Sequence, residues 1–293
     1  MTVDGLATTP AGRRIQLGSL LRQLRHRSGL TQEDVGSRVW PDKKLATTQN
    51  KITRLESGDG GIELRDLEAL LAVYGVDDPA KVAVVRDLIA ATSQRGRWRG
   101  TRAAHAEHDR KFVDLTEDAV IVRETAVEEV PVLLQCEAYM RASQSSSAAA
   151  AIAAQRQHQE LVLEANAAQV YAMLSESCVR RVRGSTAVMR EQVDHLITLS
   201  GRPNVHIHLI PFAATARLPI RFECFTLLRL ACPQLFGDFT EYVDLPFVRM
   251  AGEPVYAPAR ADAFQRLWVA VADVALNTAR TRHFLRAIAR ELG

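Results

Sequence analysis

Gln49, Asn50 and Lys51 follow one another in the chain, with Thr48 before them and Thr53 and Arg54 close behind. Carboxamide side chains pair bidentately with N6 and N7 of adenine, and a lysine reaches O6 and N7 of guanine or a phosphate oxygen. The row therefore carries the chemistry needed to read duplex DNA. On a helix, Gln49, Asn50 and Lys51 would stand at the leading end and Thr53 and Arg54 one turn along, while Ile52 and Leu55 face inward. Arg54 is equally suited to a base or phosphate contact and to a salt bridge with Glu56 or a residue of the first helix. A polar, solvated helix face that binds protein instead of DNA would carry the same residues.

Such a row works only if other helices hold it. From Ile15 to Arg27, Leu17, Leu20, Leu21 and Leu24 recur at three- and four-residue steps, with arginines on the other face, which predicts an amphipathic helix. Gly29 ends it. Thr31, with Asp34 three residues on, predicts the capped start of a second helix from Gln32 to Val39. Trp40-Pro41-Asp42 breaks that helix. Thr48 is then the expected cap of a third helix, Gln49 to Glu56, stopped by Ser57-Gly58. A fourth helix, Glu63 to Tyr74, offers Leu64, Leu67, Leu70 and Leu71 to the same core. A fifth, from Pro79 to about Gln94, has proline in its first turn.

The chain has 293 residues and a net charge of only +3, so composition alone does not imply nucleic acid. Its distribution says more. Ten basic residues from Arg13 to Arg54 face only four acidic ones before Leu55. No apolar run is long enough to span a bilayer and no secretory leader is recognisable, so the expected location is cytoplasmic. Cys136, Cys178, Cys224 and Cys232 lie far apart without a C-x-x-C pair, and are expected to be reduced thiols.

The basic, glycine-interrupted run from Arg95 to Gly100 marks a boundary. Helical stretches are expected from Thr101 to Lys111, from Thr116 to Ala126, around Leu133, Leu134 and Tyr139, from Ala149 to Gln169 and from Thr186 to Ser200. Strands are expected at Val205–Ile210, Phe222–Leu230 and Phe239–Asp244, followed by helices over Pro258–Ala279 and Thr281–Leu292. His206 and His208 share one side of their strand and would need Glu223 or Cys224 to complete a metal site. Half-buried histidines with satisfied nitrogens are the commoner outcome, and no metal or cofactor is expected. No phosphate loop, nucleophile elbow or H-E-x-x-H pair is present.

Leu30-Thr31-Gln32-Glu33 together with Thr48 to Gly58 resembles the helix-turn-helix of phage-repressor-like (XRE/Cro) regulators. The resemblance implies that Gln32 meets a phosphate and that the third helix enters the major groove. The chain departs from the compact pattern by about six extra residues between the second and third helices, the Trp40 to Ala46 region. Val130 to Tyr139, Met189 to Val193, Arg202 to Phe212 and Phe225 to Leu228 resemble the DUF5753 domain found behind such heads in actinobacterial, antitoxin-like regulators. There Val132 replaces the usual glycine.

The expected fold class is mainly α: a five-helix helix-turn-helix domain followed by an α+β effector domain. The expected limits are 1–78 for the DNA-binding domain, 79–100 for a helical connector and 101–293 for the effector and dimerisation domain. The expected function is a transcriptional regulator on double-stranded DNA, with Gln32, Thr48, Gln49, Asn50, Lys51, Thr53 and Arg54 as DNA-binding residues. A homodimer is expected, with Phe264, Leu267, Trp268 and Val269 available for its contact, and a small-molecule effector or small partner protein. The alternatives are an antitoxin-like module whose main partner is a protein, and an enzyme whose second domain acts on a small metabolite or nucleic-acid-linked substrate.

Overall fold

The computed structural model describes residues 5–90, 97–143, 149–165, 168–217, 224–234, 239–250 and 253–293. The chain divides into two compact units, Met1–Gly96 with Leu230–Val243, and Arg97–Arg229 with Asp244–Gly293.

The first unit is helical. Helix α1 (Pro10–Arg27) starts earlier than the leucine repeat alone predicts, because Pro10 fills a first-turn position that needs no N–H donor and the Thr9 hydroxyl accepts from Gly12 N at 3.0 Å. Helix α2 (Gln32–Val39) has the expected capping box: Asp34 N donates to the Thr31 hydroxyl and Thr31 N donates to the Asp34 carboxylate. Helices α3 (Leu45–Glu56), α4 (Leu64–Val73) and α5 (Pro79–Ala90) follow. One core joins them, with Leu17, Leu21 and Leu24 of α1, Val35 of α2, Ile52 and Leu55 of α3 and Leu67, Leu70 and Leu71 of α4. Helix α5, in the stretch expected to connect domains, adds Val85 and Leu88 to this core.

A distant segment completes the unit. Phe239 enters the same core, and Gln16, buried in α1, donates to the carbonyls of Gly5 and Ala231 at 2.6 and 2.8 Å. A buried amide is tolerated here because both its donors are used and its oxygen accepts from Ala7 N at 2.9 Å.

The second unit is α+β, as expected. Short 3-10 turns at Gly100–Ala104 and Glu107–Asp109 and helix α6 (Arg110–Glu117) replace the first expected helix. The helix expected from Thr116 to Ala126 is instead strand β1 (Ala119–Ala126). Val120-Ile121-Val122 is β-branched throughout, and sheet pairing outweighs the mixed period that follows. Helix α7 (Glu137–Ser143) leads to α8 (Ala149–Glu160), which ends in a π turn at Leu161–Ala165. The expected extension of α8 to Gln169 gives way to strand β2 (Gln169–Ser175).

Helix α9 (Ser177–Arg180), α10 (Thr186–Leu199) and strand β3 (Val205–Ile210) follow. Strands β4 (Phe225–Ala231), β5 (Tyr242–Met250) and β6 (Glu253–Tyr256) precede helices α11 (Ala261–Ala272) and α12 (Thr278–Glu291). The strand expected from Phe239 to Asp244 thus runs later in the chain, through Leu245-Pro246-Phe247. The sheet order is β3-β2-β1-β4-β5-β6, with β1, β2 and β3 parallel and β5 and β6 antiparallel. Val122, Val170 and Val205 stand in register across the parallel strands.

Phe225 of β4 stacks on Phe264 of α11 with ring centroids 4.6 Å apart. Of the residues expected at a dimer contact, Phe264 is therefore committed to this unit's own core, Leu267 and Trp268 pack partly against it, and Val269 is 60% exposed. The four cysteines are free thiols, three of them buried. No helix among the described residues is long and apolar enough to cross a membrane.

Candidate nucleic-acid interface

The exposed face of α3 depends on where that helix begins. Thr48 does not cap it: the side chain is 1% exposed, and its hydroxyl donates to the Leu45 carbonyl at 2.9 Å, inside the helix. Lys44 is the capping residue and makes no side-chain cap bond. Part of the long turn expected before Thr48 is thus an extra helical turn. Thr48 packs on α2 at Gly36, where an added Cβ would lie 2.5 Å from the threonine oxygen. The two helices meet through a residue pair too small to hold them apart, and Thr48 is no part of the exposed face of α3.

A second close approach fixes α3 to α1. A Cβ on Gly18 would stand 2.4 Å from the Leu55 carbonyl oxygen, so only glycine lets the helices pack at this distance. Beside it, Arg25 of α1 holds Glu56 with two hydrogen bonds, Nε to Oε1 at 2.6 Å and Nη2 to Oε2 at 3.1 Å, and donates a third to the Leu30 carbonyl at 3.0 Å. The bonds from Glu56 hold the guanidinium more firmly protonated than usual against the opposing effect of burial. This bidentate pair fixes the end of α3 and the entry to α2 with planar geometry.

Glu56 also bears on where Gln32 and Arg54 point. It accepts a hydrogen bond from Gln32 Nε2 at 3.0 Å, and Gln32 Oε1 accepts from the Thr53 hydroxyl at 3.0 Å. Gln32 Nε2 and Oε1 each make a hydrogen bond within the head, so the side chain braces α3, and one of its two amide N–H groups is used in doing so. Arg54 has no salt bridge to Glu56, because Glu56 is turned toward Arg25; its guanidinium is exposed and donates to the Asp59 carbonyl at 3.4 Å.

Lys51 is similarly diverted. Its ammonium sits 2.5 Å from Asp66 of α4 and 4.3 Å from the centre of the Trp40 ring, and Trp40 Nε1 donates to the same carboxylate at 3.0 Å. Burial would raise the Asp66 carboxyl, but the bonds from Lys51 and Trp40 hold it below its ordinary value. Lys51 is half-buried and tied to the flank of the helix.

What remains exposed along α3 is Leu45, Ala46, Thr47, Gln49, Asn50, Thr53 and Arg54, with Lys43 and Lys44 on the turn before it and Arg38 on α2. Apart from Leu45 and Ala46 this stripe is polar, hydrogen-bonding and locally cationic, on a helix of 12 residues, about 18 Å long at 1.5 Å per residue. Ala46 and Thr47 escape a reading that starts the helix at Thr48. The inward face of α3 begins only at Thr48, with Ile52 and Leu55 after it, so the buried positions do not reveal the extra turn.

The paired histidines of the second unit are engaged separately. His206 Nε2 lies 3.2 Å from the Gln169 side-chain oxygen and its ring stacks on Tyr171, while His208 Nδ1 lies 3.1 Å from the Leu276 carbonyl. Among the described residues no group of three or more histidine, cysteine or acidic side chains could hold a metal ion; Glu223 lies outside those residues.

Two family models match the chain. One, described as a helix-turn-helix domain, covers residues 16–84, and the other, described as a domain of unknown function (DUF5753), covers residues 109–287. No curated protein and no solved structure matches.

Proposed function

The chain belongs to the DUF5753 family and carries that domain behind a helix-turn-helix head, and we propose that it is a transcriptional regulator whose helix α3 reads operator DNA in the major groove. The observation that carries this reading is the exposed stripe of α3, held from behind by the Arg25–Glu56 pair and by the contacts at Gly18 and Gly36. Gln49 and Asn50 are the base readers, because their amides alone on this face can pair bidentately with adenine. Thr47, Thr53 and Arg54 contact bases or backbone beside them. Lys43, Lys44 and Arg38 neutralise phosphates.

The protein acts as a homodimer on two half-sites one helical turn apart, about 34 Å, so the target is an inverted repeat. The second unit supplies dimerisation and effector sensing. Selection of DNA sites with the purified full chain over a salt series tests the whole reading. The expected result is an enriched inverted repeat with a steep salt slope. No enriched motif, with equally negligible affinity for random duplex at low salt, would overturn it.

A further inference from the structure

The second unit contains a cavity of about 260 Å³ lined by Phe112, Val113, Val132 and Leu133 on its apolar side and by Glu124, Asp109 and Arg249 among its charged groups. Glu124 is the unusual member. It lies on the central strand β1, in register with Ala172 of β2, and its neighbours on the same strand face, Val122 and Ala126, are apolar core residues. The residue is 7% exposed, yet no hydrogen bond or ion pair reaches its carboxyl group from any described residue. Arg249 acts on it only through space, and that guanidinium lies 5.6 Å from the centre of the Phe112 ring.

Burying a carboxyl group without a partner is costly, and nothing in the strand requires one there. The nearby buried acids each hold an arginine: Asp114 Oδ1 accepts from Arg97, and Glu117 accepts from Arg97 and Arg102, at 2.5 to 3.0 Å. Burial pushes the Glu124 carboxyl up, and the charge of Arg249 opposes this only in part. The rest of the wall sets the sign of a donor to that carboxyl. Burial holds the His105 imidazole down to about 4, so it is neutral near pH 7 and adds no positive charge. Gln135, whose Nε2 donates to the Val130 carbonyl at 2.7 Å, and Gln155 bring uncharged amides to the wall.

We propose that this cavity binds a metabolite-sized organic amine, its ammonium meeting Glu124 and its hydrocarbon body lying against Phe112, Val113, Val132 and Leu133. The volume falls just below the range of about 300–1,000 Å³ typical of drug-sized ligands, which fits an arylalkyl amine of one ring. The inference deepens the effector-sensing role proposed above. Its test is a binding measurement independent of DNA, so a failed amine leaves the DNA-selection result standing.

Phenethylamine, 2-phenylethanol and phenylacetate are titrated into the purified full chain by calorimetry, with thermal melting in parallel. The amine is expected to bind at least tenfold more tightly than the alcohol, and the acid not at all. Glu124→Gln is expected to weaken amine binding at least tenfold and to erase its advantage over the alcohol, whereas Glu124→Asp retains part of it. Equal binding of amine and alcohol, undiminished amine binding by Glu124→Gln, or no binding of the amine at millimolar concentration would overturn the proposal. Should neither variant fold, the contrast between amine and alcohol on the unmodified chain decides alone.

Discussion

Two buried carboxyl groups, one in each unit, have opposite surroundings. Glu56 in the helical head is closed in by Arg25 and Gln32, whereas Glu124 on the central strand of the second unit accepts no hydrogen bond from any described residue and borders a cavity. The contrast separates two uses of a buried charge. A carboxylate with its donors filled is a bracket that fixes helices in one arrangement, and one without them at a cavity is, in our proposal, a place for a ligand's donor. In the head the Arg25–Glu56 pair is filled from within, and the polar groups of α3 are left on its surface. In the second unit the Glu124 carboxyl lines the cavity.

The contrast can be tested by substitution. Glu56→Ala strands the Arg25 guanidinium in the head core and should cost about 3–5 kcal/mol of stability, read by denaturant unfolding. Replacing Arg25 and Glu56 together by Met and Leu should restore much of that loss; equal destabilisation by the single and double variants would show that the pair is no bracket. Gln49→Ala leaves the bracket intact and should relax base preference by about 1–3 kcal/mol at one position of each half-site, with melting temperature unchanged. Glu124→Gln should move stability the other way, adding about 1 kcal/mol in the absence of ligand by replacing a buried ionisable carboxyl, to which no described residue donates, with a neutral amide. A loss of stability there would mean that Glu124 is structural like Glu56, and the comparison would fail.

The smallest effect is expected for Lys51→Ala. A half-buried ammonium paired with Asp66 contributes about 0.2–1 kcal/mol to folding, and the salt slope of DNA binding should not change, because this lysine is tied to α4. Arg54→Ala, by contrast, should lower that slope by about 1 if it meets a phosphate.

The head was legible where local chemistry dominates. The leucine steps of α1 and the Thr31–Asp34 box of α2 are set by neighbours within one turn, and the structure retains both. The start of α3 was not, because threonine caps helices and also packs inside them, and only the close approach of Gly36 selects the second role for Thr48. In the second unit, β3 stood out by its alternation between Pro203 and Pro211, while β1 was hidden. Its Arg123 and Glu124 break the apolar period, and its strand identity comes from β2, some fifty residues away along the chain.

The sequence by itself determined that the chain opens with a helix-turn-helix head, that an α+β domain follows, and that Gln49 and Asn50 stand among its exposed polar residues. These follow from periodicity, caps and side-chain chemistry, all of which act over a few residues. Only the tertiary structure decided that Thr48, Gln32 and Lys51 turn inward or sideways, that Arg25 occupies Glu56, and that Glu124 is left alone at a cavity. A polar group's partner is chosen by whatever distant element folds against it, and the cost of burial makes that choice binding.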